Sequence, residues 1–166
     1  MSDETADNEA TSLLSLTMTS TLEPRAPRSR ARTSVDWLID NAEAYEGVLG
    51  ALRGARRSIH VAQLAFDADC AAFGISAAAR DSVTFLDVIV ERATHGVPDV
   101  RILLNASWLL NTARPLRRAI AAHGASGRIA VRGFDRYPHF MHAKLVLVDE
   151  REAFLLGSPF VNSYWD

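Results

Sequence analysis

The sequence predicts an α/β fold, with a mostly parallel, mixed sheet flanked by helices, and three observations carry that reading. Residues 58–66 (SIHVAQLAF) and 100–104 (VRILL) are short runs of the kind expected of interior strands covered on both faces. Between them Phe85, Leu86, Ile89, Val90 and Ala93 fall on one helical stripe. Strand, helix and strand in that order make a βαβ unit, which favours parallel pairing.

Along the chain, residues 1–33 are rich in Ser, Thr, Asp, Glu, Pro and Arg, without periodicity, and turn from an acidic start to a basic run between Arg25 and Arg32. Such a stretch buries too little apolar surface to offset its conformational entropy, so a disordered leader is expected, followed by one domain over 34–166. Ala42, Tyr45, Val48, Leu49 and Leu52 then share a stripe. Asp40 and Glu43 stand at its start and Arg53, Arg56 and Arg57 at its end, as the helix dipole favours. Gly54 marks the stop.

After the first strand, Asp67 and Asp69 open a loop rich in Ala, Gly and Ser that reaches Asp81. Paired acids at a strand end read as turn formers before they read as metal ligands. Thr84 and Asp87 have capping-box spacing for the next helix, and Gly96 ends it. A loop bearing Trp108 follows the second strand. A helix then begins near Pro115, a residue suited to a first turn, with Arg114, Arg117 and Arg118 clustered at its start and Gly124 at its end. Residues 128–134 read as a third strand, 142–149 as a fourth and 153–156 as a short last one.

A length of 166 residues and an apolar share of 48% suit a single domain with a real core. The net charge of −2 argues against a general polyanion binder, although Arg clusters can hold phosphates locally. Cys70 is the one cysteine, which excludes an internal disulfide and fits a reducing compartment. No apolar run is long enough to span a bilayer, and residues 13–22, interrupted by Ser and Thr and preceded by acids, do not resemble a secretory signal. A cytoplasmic protein is expected, peripheral at a membrane if it meets one.

The chemistry-bearing stretch is His142-Ala-Lys-Leu-Val-Leu-Val-Asp149, followed by Gly157-Ser158 and Asn162. Side chains alternate along a strand, so His142 and Lys144 leave the backbone on the same face and can converge on one ligand. An imidazole beside an ammonium suits a phosphate: the imidazole can attack phosphorus while the ammonium donates to the charged oxygens. The chain holds seventeen Arg and a single Lys, and that Lys is Lys144. A compact, strongly hydrated ammonium has been kept where an Arg-rich sequence would otherwise place a guanidinium. Asp149, an odd number of residues from His142, faces the other way in a regular strand and suits a structural or supporting role.

That pattern resembles the phospholipase D superfamily, whose signature is His-x-Lys, four residues, Asp, about six residues, Gly-Ser and an Asn. His142, Lys144, Asp149, Gly157 and Ser158 fall on it in order. Seven residues, 150–156, separate Asp149 from Gly157, and Phe160 and Val161 stand where the Asn is usual, so Asn162 is a displaced match. The resemblance implies half of an α-β-α sandwich enzyme in which two such motifs share one site. One histidine attacks phosphorus to form a phosphohistidine; the other protonates the leaving alcohol. His142 is then the expected nucleophile, with Lys144 and Asp149 completing the motif and Ser158 and Asn162 holding the phosphate. No metal and no cofactor are implied. With one motif in the chain, the resemblance further implies a homodimer or a missing second half, the chain being C-terminally truncated.

The expected function is therefore that of a phospholipase D-like phosphodiesterase, hydrolysing or transferring phosphatidyl groups. Phe140, Phe160, Tyr164 and Trp165 near the motif and the acidic net charge favour a phospholipid substrate. A nuclease of the same superfamily shares every catalytic residue, and a non-catalytic fragment or interaction module keeps the motif without turnover.

Overall fold

The structure, a computed structural model, describes residues 34–72 and 83–164. The expected leader over 1–33, most of the loop before Val83, the Tyr164 side chain and Trp165 lie outside the described residues. Helix α1 (Asn41–Gly54) begins where Asp40, in extended backbone, accepts from the Glu43 N–H at 2.8 Å. This satisfies one of the donors that a first helical turn leaves free. Its stripe of Tyr45, Val48, Leu49 and Leu52 is buried, as the periodicity predicts. Helix α2 (Phe85–Thr94) opens with a complete capping box. Thr84 Oγ1 accepts from the Asp87 N–H at 3.0 Å, and Asp87 Oδ2 accepts from the Thr84 N–H at 2.9 Å. Helix α3 (Ala113–Ala122) has Pro115 in its first turn and buries Ala113, Leu116 and Ile120.

Strands β1 (Ser58–Gln63), β2 (Asp99–Asn105) and β3 (Ile129–Phe134) pair in parallel. Strand β4 (Lys144–Val148) runs antiparallel to β1, and β5 (Glu152–Leu155) antiparallel to β4. The sheet order is β3-β2-β1-β4-β5. The fold is α/β, a five-stranded mixed sheet flanked by helices, and β1 and β2 pair in parallel as the βαβ reading expects. Strand β1 stops at Gln63 rather than Phe66, because the chain leaves the sheet there; Phe66 forms an isolated bridge to Phe160 and joins the core.

The two faces of the interior strands are covered to different depths. On one parity Ile59, Val61 and Gln63 of β1, Val100, Ile102 and Leu104 of β2 and Val146 and Val148 of β4 are buried. On the other, His60, Ala62, Leu103, Leu145 and Leu147 are only half-buried. A continuous apolar run fixes strand character but not how deeply each face is covered.

Strands β4 and β5 are joined by a tight turn in which the Arg151 N–H donates to Val148 O at 3.0 Å. Asp149 (φ 54°) and Glu150 (φ 56°) both adopt the left-handed conformation, which matches the twist of the strands they connect. At the far side of the sheet, a Cβ on Gly133 would overlap the Cβ of Ala106. Gly133→Ala is expected to destabilise the fold by about 1–3 kcal/mol, the usual cost of overpacking, read as a lower denaturant midpoint at unchanged slope.

Candidate functional site

The three parallel strands aim their carboxyl ends at one end of the sheet, and β4 begins there. Gln63 pairs with Lys144 on one side and Leu104 on the other, and Leu104 pairs with Gly133. The crevice outside the carboxyl ends of parallel strands is where open α/β sheets bind ligands. Asn105 fixes the approach to it. Its Nδ2 donates to Leu64 O and Met141 O, both at 2.9 Å, and its Oδ1 accepts from the Met141 N–H at 2.9 Å. This buried carboxamide thereby ties the end of β1 to the residue preceding His142.

His142 is exposed and Lys144 half-buried. Lys144 Nζ lies 3.2 Å from His142 Nδ1 and 3.4 Å from Nε2. The ammonium thus lies within reach of both ring nitrogens. The ammonium, with three donors, therefore keeps N–H groups for a third partner, and the imidazole can donate beside it. Two adjacent donors, one of them cationic, form a receptor for an oxyanion.

Leu145 pairs with Leu155, and the Leu156 N–H donates to Lys144 O at 2.8 Å. Ser158 is half-buried in the bend that follows β5. His142 and Lys144 belong to the corner of the sheet where β4 begins.

Asp149 stands at the other end of β4. Its Oδ1 accepts from the N–H groups of Arg57 at 2.7 Å, Ser58 at 2.9 Å and Arg56 at 3.1 Å. These bonds, that from Ser58 foremost, hold its carboxyl below the usual carboxylate range. Its chemistry is to fasten the link between α1 and β1, away from the His142–Lys144 pair. Asn162 is also engaged elsewhere. Its Nδ2 donates to Asp69 Oδ1 at 3.0 Å, its backbone N–H donates to Asp67 Oδ2 at 3.3 Å, and its Oδ1 accepts from the Ala71 N–H at 3.4 Å. It orders the loop after β1 together with the two acids read as turn formers.

His60 lies towards the amino end of the parallel strands, its Nε2 2.9 Å from Asp99 Oδ2. Arg101 Nε donates to the other oxygen of Asp99 at 2.6 Å. The His60 bond, ahead of that from Arg101, holds the Asp99 carboxyl below its ordinary range.

The carboxyl-end rim carries a feature that the sequence alone did not assemble. Trp108, in the β2–α3 loop, and Tyr137, in the β3–β4 loop, are 79% and 60% exposed, and their ring centroids are 5.9 Å apart. Phe140 is exposed nearby in sequence. Beside these aromatics, Arg136 and His139 line an open groove of about 560 Å³ with Leu103, Gly133, Phe134 and Asp135. Each of these aromatics, taken singly, has an ordinary reading as loop or core; only the fold brings Trp108 to Tyr137.

No helix among the described residues is long and apolar enough to cross a membrane. No family model matches the chain, and no curated protein matches it. Among solved structures, the chain is similar to TrmBL2, an archaeal chromatin protein whose structure is described as showing a novel mode of DNA binding. Identity is 20% and the TM-score 0.49, over 79% of this chain and 42% of that one. The chain thus spans less than half of that protein's length.

The expectation of a lipid hydrolase or transferase is corrected here. None of the comparisons points to a lipid hydrolase or transferase, and the nuclease alternative gains nothing from them. At the site, the His142 ring has hydrogen-bond contacts with Lys144, and the two side chains together can receive an anion.

Proposed function

We propose that the chain is a nucleic-acid-binding module. It engages a backbone phosphate at His142 and Lys144 and stacks unpaired bases on the exposed aromatics of the same rim. The observation that carries this reading is the exposed Trp108–Tyr137 pair at the end of the sheet where Lys144 begins β4. Single-stranded nucleic acid is held by cationic groups that follow the backbone and by aromatic rings on which bases stack. Arg136, His139, His142 and Lys144 supply the first, and Trp108 and Tyr137 the second. An acidic net charge of −2 is compatible with this, because a phosphate contact depends on the donors at the rim rather than on the net charge of the chain. The likeness of the segment from His142 to Ser158 to the phospholipase D superfamily supports the proposal through phosphate recognition alone.

Titration of a fluorescent single-stranded oligonucleotide with the full chain, followed by anisotropy, tests the reading. Trp108→Ala is expected to weaken binding roughly ten-fold, since removing one stacking platform costs about 1–3 kcal/mol per base. Trp108 is exposed, so its loss should leave the melting temperature unchanged. Unaltered affinity in that variant would count against the proposal.

A further inference from the structure

The site end of the sheet contains two buried carboxamides whose hydrogen bonding differs completely. Asn105 donates twice and accepts once. Gln63, the last residue of the central strand β1, is 0% exposed, yet neither its Nε2 nor its Oε1 has a partner among the described residues. Leaving a buried amide unpaired costs about 1–3 kcal/mol, and an apolar residue of similar shape would avoid that cost. Gln63 faces Lys144 directly across the β1–β4 ladder. Residues opposite one another on antiparallel strands project from the same face within about 5.5 Å. The side chain that carries the unpaired amide therefore leaves the sheet next to that of Lys144, within reach of the His142–Lys144 pair.

We propose that Gln63 is a positioning residue of the phosphate site, an inference that rests on the proposed nucleic-acid binding. With phosphate bound, Gln63 Oε1 accepts from the Lys144 ammonium and turns it from the His142 ring towards the anion, while Nε2 donates to a phosphate oxygen held by that ammonium. A neutral carboxamide adds a directional donor to the pair without adding charge, so it favours the tetrahedral phosphate over a simple halide. The unpaired amide is thus a local loss of stability offset when the ligand arrives, as polar groups at binding sites commonly are.

Gln63→Leu separates this role from a structural one, because the two predict opposite combinations. Melting temperature and oligonucleotide affinity are measured together on the full-length wild type, Gln63→Leu, Gln63→Glu and Lys144→Ala. Gln63→Leu is expected to melt higher than wild type and to bind roughly ten-fold more weakly. Gln63→Glu, which sets a carboxylate against the phosphate, is expected to bind more weakly still. Inorganic phosphate is expected to raise the melting temperature of the wild type and to leave that of Gln63→Leu unmoved. If Gln63→Leu melts higher but binds and responds to phosphate as the wild type does, the positioning role is wrong. It is equally wrong if Gln63→Leu melts lower with affinity unchanged, since the amide would then serve the fold through enclosed water. If the wild type does not bind, or binds independently of Lys144, the nucleic-acid reading itself fails and the role of Gln63 falls with it.

Discussion

Phe160→Ala is expected to lower stability by about 3–5 kcal/mol, the range for emptying a buried aromatic site. Phe160 is 0% exposed and lies at the centre of an aromatic cluster. Its ring stacks on Phe85 at 4.1 Å and an 11° interplanar angle, and meets Tyr45 and Phe66 edge-on at 5.5 and 5.2 Å. Such pairs contribute beyond their buried area, and here three share one ring. The backbone adds to this, with the Asp67 N–H donating to Phe160 O at 2.8 Å. One residue earlier, Pro159 O accepts from the Tyr45 hydroxyl at 2.7 Å, and burial pushes the Tyr45 phenol well above its usual range. Truncation leaves a cavity that α1 and α2 can fill only by moving. The melting temperature should fall by roughly 10–20 °C, and Phe160→Leu, which keeps most of the volume, should lose much less. A loss below about 1 kcal/mol for the alanine variant would mean that the cluster collapses without cost, contrary to the packing of its rings.

The second large effect is expected at Asp149. Asp149→Ala removes the acceptor of the Arg56, Arg57 and Ser58 N–H groups and leaves a half-buried turn with unpaired donors. Charge-assisted bonds of this kind contribute about 1.5–3 kcal/mol each when enclosed. With Asp149 only half-buried, a total near 2 kcal/mol is expected. Asp149→Asn, which keeps an acceptor at the same place, should lose roughly half of that. The pH dependence follows from the lowered carboxyl of the folded state. The unfolded chain binds the proton more readily, so the contribution is fully present above the ordinary carboxylate value near pH 4. It disappears as pH falls through the folded value. The wild type minus Asp149→Ala difference in unfolding free energy should accordingly be constant from about pH 5 to 7 and shrink below about pH 4. A difference that grows on acidification would contradict the assigned bonds.

Much of this architecture was legible in the residues because local chemistry and tertiary environment agree. The Thr84–Asp87 spacing gives the capping box observed, the 85–93 stripe gives α2, and the flanking apolar runs give the parallel strands. His142 and Lys144 were legible as a pair because period-two alternation puts them on one face, and the structure places them in contact. Roles that depend on long-range register were not legible. Asn162 follows the Gly-Ser segment in sequence, yet the Phe66–Phe160 bridge carries it to the Asp67–Asp69 loop. Gln63 is one polar residue in an apolar strand, and only its pairing with Lys144 gives it a place in the site. Trp108 and Tyr137 lie on loops of different strands, and nothing local announces that they meet. The lipid expectation failed for a related reason. A motif reports which side chains are near one another along a strand, whereas substrate class depends on the rim that surrounds them.

The most direct test of the central claim is the salt dependence of single-stranded oligonucleotide binding by the wild type and Lys144→Ala. Each neutralised phosphate contributes about −0.7 to the slope of log affinity against log salt on a single strand. Loss of the Lys144 contact is expected to weaken binding roughly ten-fold at low salt and to make the slope shallower by about that one increment. Equal slopes and equal affinities for the two proteins would show that the His142–Lys144 pair holds no phosphate.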